Sequence, residues 1–115
     1  MLRKSSSKQY PEIQRLQKSI IVPCSIVQET VTDEDGNTED VYNYDEVVIT
    51  DKGQDINSSD FIQNNYKELR REYILGKMPQ SEQNEAMVEA YSQNNTKLNA
   101  LAALKNEAAA LFPKG

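Results

Sequence analysis

The stretch FIQNNYKELRREYIL, residues 61–75, decides the fold because it carries the clearest periodic pattern in the chain. Its apolar positions are spaced by four, three and four residues: Ile62, Tyr66, Leu69 and Tyr73. That spacing places them on one face of a helix, with the polar residues between them toward water. A helix with so narrow an apolar face is marginally stable alone. We therefore expect another part of the chain, or another chain, to cover it.

Capping signals set the ends of this helix and of two more that follow it. A polar residue among residues 58–60 can cap the first helix, and Gly76 supplies a left-handed C-cap, after which Pro79 prevents continuation. Ser81 and Thr96 are the corresponding N-caps of the next two helices. The pattern predicts a helical region over residues 51–115, with helices at about 58–76, 81–93 and 96–112.

Upstream of the helices, residues 20–50 form two β-branched runs around an acidic turn and predict a β-hairpin. Asp35-Gly36 is a strong hairpin signal, because glycine accepts the positive φ that such turns require. Pro23 lacks an N–H and belongs at a strand start or a sheet edge. Two registers remain open, one pairing Val27 with Tyr44 and the other pairing Ile26 with Val47.

The first nineteen residues are basic and polar, which predicts a mobile arm. A short helix starting at Pro11 would place Ile13, Leu16 and Ile20 on one side. The fold class predicted from the sequence is therefore α+β, with an N-terminal arm, a β-hairpin and two to three α-helices. We expect it to be extended and completed by oligomerisation.

The composition supports an extended or oligomeric protein. Only 37% of the 115 residues are hydrophobic, and the mean hydropathy is -0.74. Ten Asn and nine Gln residues carry amides that are costly to bury unpaired. Biased genomic base composition explains the amide excess equally well.

Charge is distributed unevenly along the chain, whose net charge is -5. Between Gln28 and Asp60 there are eleven acidic residues and one basic residue, whereas the first eighteen residues hold five basic residues and one acidic residue. This arrangement argues against nucleic-acid binding, which gathers positive charge on one folded face. The basic arm either docks on an acidic neighbour or stays a solvated tail.

The residue types needed for catalysis or cofactor binding are missing. The chain has no His, its four glycines are isolated, and no Cys/His cluster could hold zinc. The sequence therefore predicts no catalytic residue, no cofactor and no metal. Cys24 is interpreted as a small buried hydrophobe. No stretch is long and apolar enough for a membrane span.

The acidic turn resembles a calcium loop only superficially. An EF-hand needs glycine at its sixth position and glutamate at its twelfth. Counting from Asp33, those positions hold Thr38 and Tyr44. A solvated hairpin tip is the better interpretation.

The candidate functional residues are apolar and aromatic side chains that could contact a partner protein. Tyr42 and Tyr44 share one face of the second strand, which suits sheet packing or a partner contact. For every candidate, packing within one chain is the alternative. The predicted partner-binding set is Tyr42, Tyr44, Tyr66, Leu69, Tyr73, Leu101, Leu104 and Phe112.

Three segments carry a family resemblance: ETVTDEDGNTEDVYNYDEVVIT, LRREYILGKMPQSEQNEAMVEAY and LAALKNEAAALFPKG. Together they resemble short accessory proteins encoded among the tail-fibre and baseplate genes of tailed bacteriophages. The likeness extends from about Ile26 to Gly115. The chain departs from the group at Leu-Gly-Lys-Met-Pro, where a Tyr-Pro element is usual, and in its basic N-terminal arm.

This resemblance implies a structural component of the virion that is made in the host cytoplasm. The implied partners are larger virion proteins of the tail, fibre or portal region, together with further copies of the same chain. No catalytic role, nucleic acid or membrane is implied. Two alternatives remain: a tail assembly chaperone absent from the finished particle, and a small cytosolic regulator that acts by occlusion.

Overall fold

An antiparallel four-stranded sheet carries three helices in the computed structural model, which covers residues 1–115. The sheet order is β1-β4-β3-β2, and α1 packs on β1 and β4 while α3 packs on α1 and α2 packs on α3. The predicted α+β class is confirmed. The elements are β1 (Leu2–Ser7), β2 (Gln14–Leu16), β3 (Ser19–Thr32), β4 (Thr38–Thr50), α1 (Phe61–Lys77), α2 (Gln80–Tyr91) and α3 (Thr96–Leu111).

The predicted hairpin is the pair β3–β4, and Asp35-Gly36 lies at its tip. Asp33 Oδ1 accepts hydrogen bonds from the N–H groups of Asp35 and Asn37, each at 2.9 Å, and Gly36 has a φ of 82°. These contacts satisfy the tip backbone locally, as expected of an Asx-type turn.

Both registers considered from the sequence are wrong: Val27 pairs with Asn43 instead of Tyr44, and Val47 pairs with Val22 instead of Ile26. A β-bulge also interrupts the ladder between Cys24 and Val27. Ser25 in this bulge has a φ of 53°. Below the bulge Ile21 pairs with Val48, and beyond it Val27 pairs with Asn43. One inserted residue shifts every later pair, so no single register could describe both halves.

The N-terminal arm is not mobile but forms strand β1 along β4, from Leu2 opposite Val47 to Ser7 opposite Tyr42. Ion pairs tie it to the acidic strand: Arg3 Nε lies 3.0 Å from Glu46 Oε1. The acidic neighbour considered from the sequence is therefore the chain's own β4. The stretch has no apolar alternation: Leu2 packs against the core, and backbone hydrogen bonds and ion pairs hold the rest of β1 in place.

The short helix starting at Pro11 is also wrong. Residues 14–16 form β2, which turns at Gln17 and pairs back onto Ser19–Ile21 at the far edge of the sheet. Because β1 and β2 occupy opposite edges, the chain between them crosses the sheet. Tyr10 in this crossing packs edge-on against Tyr42, with the ring centroids 5.5 Å apart.

The hydrophobic core lies between the sheet and the helices. Its thirteen members are Ile20, Val22, Cys24, Val47, Ile49, Phe61, Leu69, Tyr73, Met78, Leu101, Leu104, Ala108 and Phe112. The helix α1 contributes Phe61, Leu69 and Tyr73, whereas Ile62 and Tyr66 are only half-buried. The apolar face of α1 is thus covered by the same chain. Oligomerisation stays a prediction.

Gly76 is not the left-handed C-cap predicted from the sequence. The helix α1 continues to Lys77, and its C-cap is Met78 in an extended conformation. A Cβ on Gly76 would lie 2.3 Å from Leu2 Cβ, far inside van der Waals contact. The glycine therefore allows β1 to approach the helix closely.

The ends of the other helices differ slightly from the predicted ones. Ser81 is not an N-cap, since α2 begins one residue earlier behind Pro79. Thr96 is the first residue of α3, behind Asn95 at the N-cap position. None of the three helices combines the length and hydrophobicity that a bilayer-spanning segment requires.

Candidate interaction surfaces

Residues 28–41 extend beyond the rest of the sheet and are called the hairpin arm here. β1 ends opposite Tyr42 and β2 covers only Ser19–Ile21, so the hairpin continues as two strands alone. Every residue from Val27 to Asp40 is exposed. The arm therefore contributes nothing to the core.

The arm gives the molecule an elongated shape. Its principal extents are 57 × 40 × 26 Å, and its radius of gyration is 17.2 Å. A compact chain of this length would have a radius of gyration of about 13 Å. The extended shape expected from the sequence is therefore present, but a projecting hairpin, rather than an open core, produces it.

The outer edge of β3 is uncovered along the arm. The Val48 N–H donates to Met1 O. The backbone N–H and C=O groups of even-numbered β4 residues therefore point toward β1, and those of odd-numbered residues point toward β3. With the observed register, the backbone N–H and C=O groups of alternate β3 residues point to the open edge: Gln28, Thr30 and Thr32. Such groups can pair with an added strand.

Side-chain hydrogen bonds fix the register of the arm itself. Thr30 Oγ1 donates to Asp40 Oδ1 at 3.1 Å, and Asn43 Nδ2 donates to Glu29 Oε2 at 2.9 Å. Val27 and Val31 are exposed by 61% and 45% and lie on the same face of β3. The free edge therefore has both a fixed register and apolar anchor points.

The arm is strongly acidic. Its fourteen residues include no basic residue and six acidic ones, namely Glu29, Asp33, Glu34, Asp35, Glu39 and Asp40. One of these carboxylates is in a salt bridge, because Lys8 Nζ lies 3.0 Å from Glu39 Oε1. No group of acidic or Cys side chains is arranged to hold a metal ion.

The opposite charge gathers in a cleft on the helical side, called the basic groove here. Its volume is about 400 Å³, and no acidic residue lines it. Tyr66 and Ile74 form apolar parts of its wall. Four cations line it, namely Lys67, Arg70, Arg71 and Lys105.

One of these cations is held by the fold. Arg70 Nε donates to Phe112 O at 2.7 Å, and its guanidinium lies 4.7 Å from the centroid of the Tyr66 ring. Arg71 makes an exposed contact with Glu72 at 3.4 Å. Lys67 and Lys105 form no salt bridge within the chain, so their charges are free for an external partner.

The structure divides the eight predicted partner residues into two groups. Five are core residues, exposed by 9% or less, and the prediction that they contact a partner is wrong for the folded chain: Leu69, Tyr73, Leu101, Leu104 and Phe112. The sequence shows these apolar faces but does not show that α1, α3 and the sheet cover one another.

Tyr73 shows how completely these faces are satisfied. Its ring centroid lies 6.1 Å from that of Phe112 in an edge-on arrangement, and its hydroxyl donates to Glu107. Burial, followed by this hydrogen bond to a carboxylate, raises the pKa of the Tyr73 hydroxyl. Tyr73 is therefore a structural residue.

The other three candidates are half-buried tyrosines on the surface. Tyr42 and Tyr44 lie on the sheet face opposite the helices, at the base of the arm. Tyr66 lines the basic groove beneath Arg70. These three remain available to a partner.

Sequence reasoning missed other exposed apolar side chains. Val27 and Val31 are on the arm, and Met87, Val88 and Tyr91 form an exposed patch on α2, where Tyr91 is 93% exposed. Of the apolar residues of α2, only Ala86 is buried. The charged residues around this short stripe were the available sign that it faces water.

Cys24 lies in the core as the sequence predicted. Burial, and next the nearby Asp45 carboxylate, raise the pKa of the Cys24 thiol from 9.0 to about 11. A thiol in this state is a poor nucleophile at neutral pH.

Together, these observations describe an α+β protein with a projecting acidic hairpin and a separate basic groove. Comparisons with protein-family models, curated protein sequences and solved structures gave no match.

Proposed function

We propose that this protein is an accessory structural component of a tailed-phage virion. In this role it binds a larger tail, fibre or portal-region protein by strand addition at the outer edge of β3. The observation that carries the proposal is the uncovered edge of the hairpin arm, whose backbone groups have no partner in the chain.

The energetics of the arm favour such a partner. A two-stranded hairpin is marginally stable in water, because it buries little apolar surface. An added strand would pair with Gln28, Thr30 and Thr32 and could cover Val27 and Val31. Each backbone hydrogen bond then contributes about 0.5–1.5 kcal/mol net.

The chain also protects this edge against indiscriminate pairing, which supports a specific use. Pro23 leaves the open edge without an N–H at its position, and the bulge at Cys24–Val27 interrupts the ladder at the base of the arm. Acidic side chains cover the rest of the arm and repel other acidic strands. A partner strand must therefore match both the register and the charge.

The virion assignment is supported by the resemblance of three segments of the chain to short proteins of the tail-fibre and baseplate genes. Quantitative mass spectrometry of purified particles tests it directly. A structural component is present at a fixed number of copies per particle. Absence from particles while the protein is abundant in infected cells would overturn the assignment and favour the assembly chaperone or the cytosolic regulator.

The arm is tested separately by a shortened variant in which Asn-Gly replaces residues 30–40 and joins Glu29 to Val41. These two residues form a hydrogen-bonded pair, so a two-residue turn can close the hairpin there. We expect the body to fold with unchanged β1 pairing while incorporation into particles is lost. The matched control is Val88→Ser on the exposed face of α2.

A shortened variant that folds and still enters particles at the wild-type copy number would contradict binding through the arm. Amide exchange of Val47 and Ile49, which are buried in the core, reports whether the body is intact.

A further inference from the structure

Opposite charges are segregated to two separate parts of this molecule. The hairpin arm carries six acidic and no basic residues, whereas the basic groove is lined by four cations and no acidic residue. In a chain with a net charge of -5, such a groove is an exception to the overall balance.

The cations on α1 are placed where they repel one another. Lys67 and Arg71 are four residues apart and Lys67 and Arg70 are three apart, so their side chains are neighbours on the helix surface. Like-charge pairs at this spacing destabilise a helix by about 0.2–0.5 kcal/mol each. An anionic partner would remove this repulsion.

We propose that the acidic tip of the hairpin arm, residues 33–36, docks in the basic groove of a second copy of this chain. The contact joins two different surfaces, so copies associate head to tail and form a ring or an open filament. This inference does not depend on the virion assignment. It uses the tip of the arm and leaves the outer edge of β3 free.

The geometry permits this contact. The tip extends roughly 15–20 Å beyond the end of β1, at about 3.3 Å per residue, so it can enter a groove without collision of the two bodies. The groove volume of about 400 Å³ accommodates the side chains of a turn rather than a whole element. Glu34 and Asp35 form no side-chain hydrogen bond or salt bridge within the chain, so their carboxylates are available.

Charge reversal at these free residues tests the proposal. The arm variant is Glu34→Lys with Asp35→Lys, and the groove variant is Lys67→Glu with Lys105→Glu. Asp33 is kept because it holds the turn, and Arg70 is kept because it binds Phe112 O. Sedimentation equilibrium at about 50 mM and about 0.5 M salt measures self-association, since salt screens exposed charges.

We expect the wild-type chain to self-associate at low salt and to dissociate at high salt. Each variant alone should self-associate at least about tenfold more weakly. The arm variant sets a basic tip against a basic groove, and the groove variant has two acidic and two basic side chains in its groove, which no longer attract the acidic tip. An equimolar mixture of the two variants should associate again, since the lysines of the reversed tip can pair with the glutamates introduced into the other groove. Combining all four substitutions in one chain should likewise restore self-association.

Two matched single reversals are the controls: Glu12→Lys and Lys114→Glu, both exposed and outside the two surfaces. They should leave self-association within about twofold of the wild type. A wild-type chain that stays monomeric at low salt overturns the proposal. So does a mixture that fails to associate although circular dichroism shows both variants folded.

Discussion

Substitution of Tyr73 tests whether the core is completed within a single chain. Its side chain is fully buried against Phe112, and its hydroxyl donates to Glu107. Removing a buried aromatic side chain costs about 3–5 kcal/mol. Glu107 is exposed and returns to water, so the lost hydrogen bond adds little. We expect Tyr73→Ala to lower the free energy of unfolding by about 4 kcal/mol.

The expected loss of about 4 kcal/mol is a large fraction of the total free energy of unfolding. A chain of 115 residues has a free energy of unfolding of about 6–17 kcal/mol, at about 0.05–0.15 kcal/mol per residue. At about 4 °C per kcal/mol, Tyr73→Ala should lower the Tm by about 15 °C. The free energy of unfolding of the wild type and the variant is measured by urea unfolding followed by circular dichroism. About 0.5 M salt is used because it suppresses charge-driven association.

The matched control is Tyr91→Ala, the same substitution at a side chain that is 93% exposed. It should change the free energy of unfolding by less than about 0.5 kcal/mol. The reasoning is refuted if the two alanine variants differ by less than about 1 kcal/mol. It is refuted equally if wild-type stability rises with protein concentration in high salt, because other chains would then complete the core.

Three further results are expected from local contacts. Gly76→Ala should destabilise the protein and speed amide exchange in β1, although alanine favours a helix by about 1 kcal/mol, because its Cβ would collide with Leu2; a gain in stability with β1 still protected would contradict this. Glu72→Gln should cost about 0.5–1 kcal/mol at neutral pH. The N-terminal ammonium donates a hydrogen bond to the Glu72 carboxylate and lowers its pKa below 4.5, so this stabilisation is present above pH 4.5 and is lost as the pH falls through the lowered pKa. Unfolding measured from pH 7 to pH 3 should show a smaller loss in the variant, and identical profiles would refute the assignment. Cys24 should react with iodoacetamide at pH 8 at least about a hundredfold more slowly in the native protein than in urea, because its pKa rises from 9.0 to about 11; equal rates would contradict its burial.

The elements that could be predicted from the sequence are those whose signals are local. The spacing of Leu69 and Tyr73 predicts α1, and Asp35-Gly36 predicts the hairpin tip, because helix periodicity and turn chemistry act over a few residues. The position of Pro23 at an uncovered sheet edge follows in the same way, since its missing N–H is tolerated there.

The N-terminal strand could not be predicted, because what holds it is distant in sequence. Leu2–Ser7 shows no alternation of apolar and polar residues. Its stability comes from pairing with residues 42–47, from the Arg3–Glu46 ion pair and from the space that Gly76 leaves. A glycine near a helix end has two physical uses, a positive φ or a close approach, and the sequence does not distinguish them.

The candidate site could be predicted only in part, because its residues also come together from distant parts of the sequence. Periodicity identifies an apolar helix face but not whether the same chain or another chain buries that face. The sequence therefore predicts a partner contact for Leu101, Leu104 and Phe112, whereas in the structure they are part of the chain's own core. The basic groove could not be predicted from the sequence, because its cations come from α1 and α3, about 35 residues apart, and lie together only in the folded chain.

The charge of the hairpin arm limits which partner strands can bind it. An open edge pairs readily with other strands, and a second hairpin arm would be the most abundant competitor. Six carboxylates on each arm make that pairing repulsive, because like charges opposite one another destabilise a sheet. A strand that adds to the outer edge of β3 must therefore carry lysine or arginine opposite Glu29, and its binding should weaken with salt. The acidity of the arm thus disfavours self-pairing of the edges, and the proposed strand addition would favour a basic partner strand.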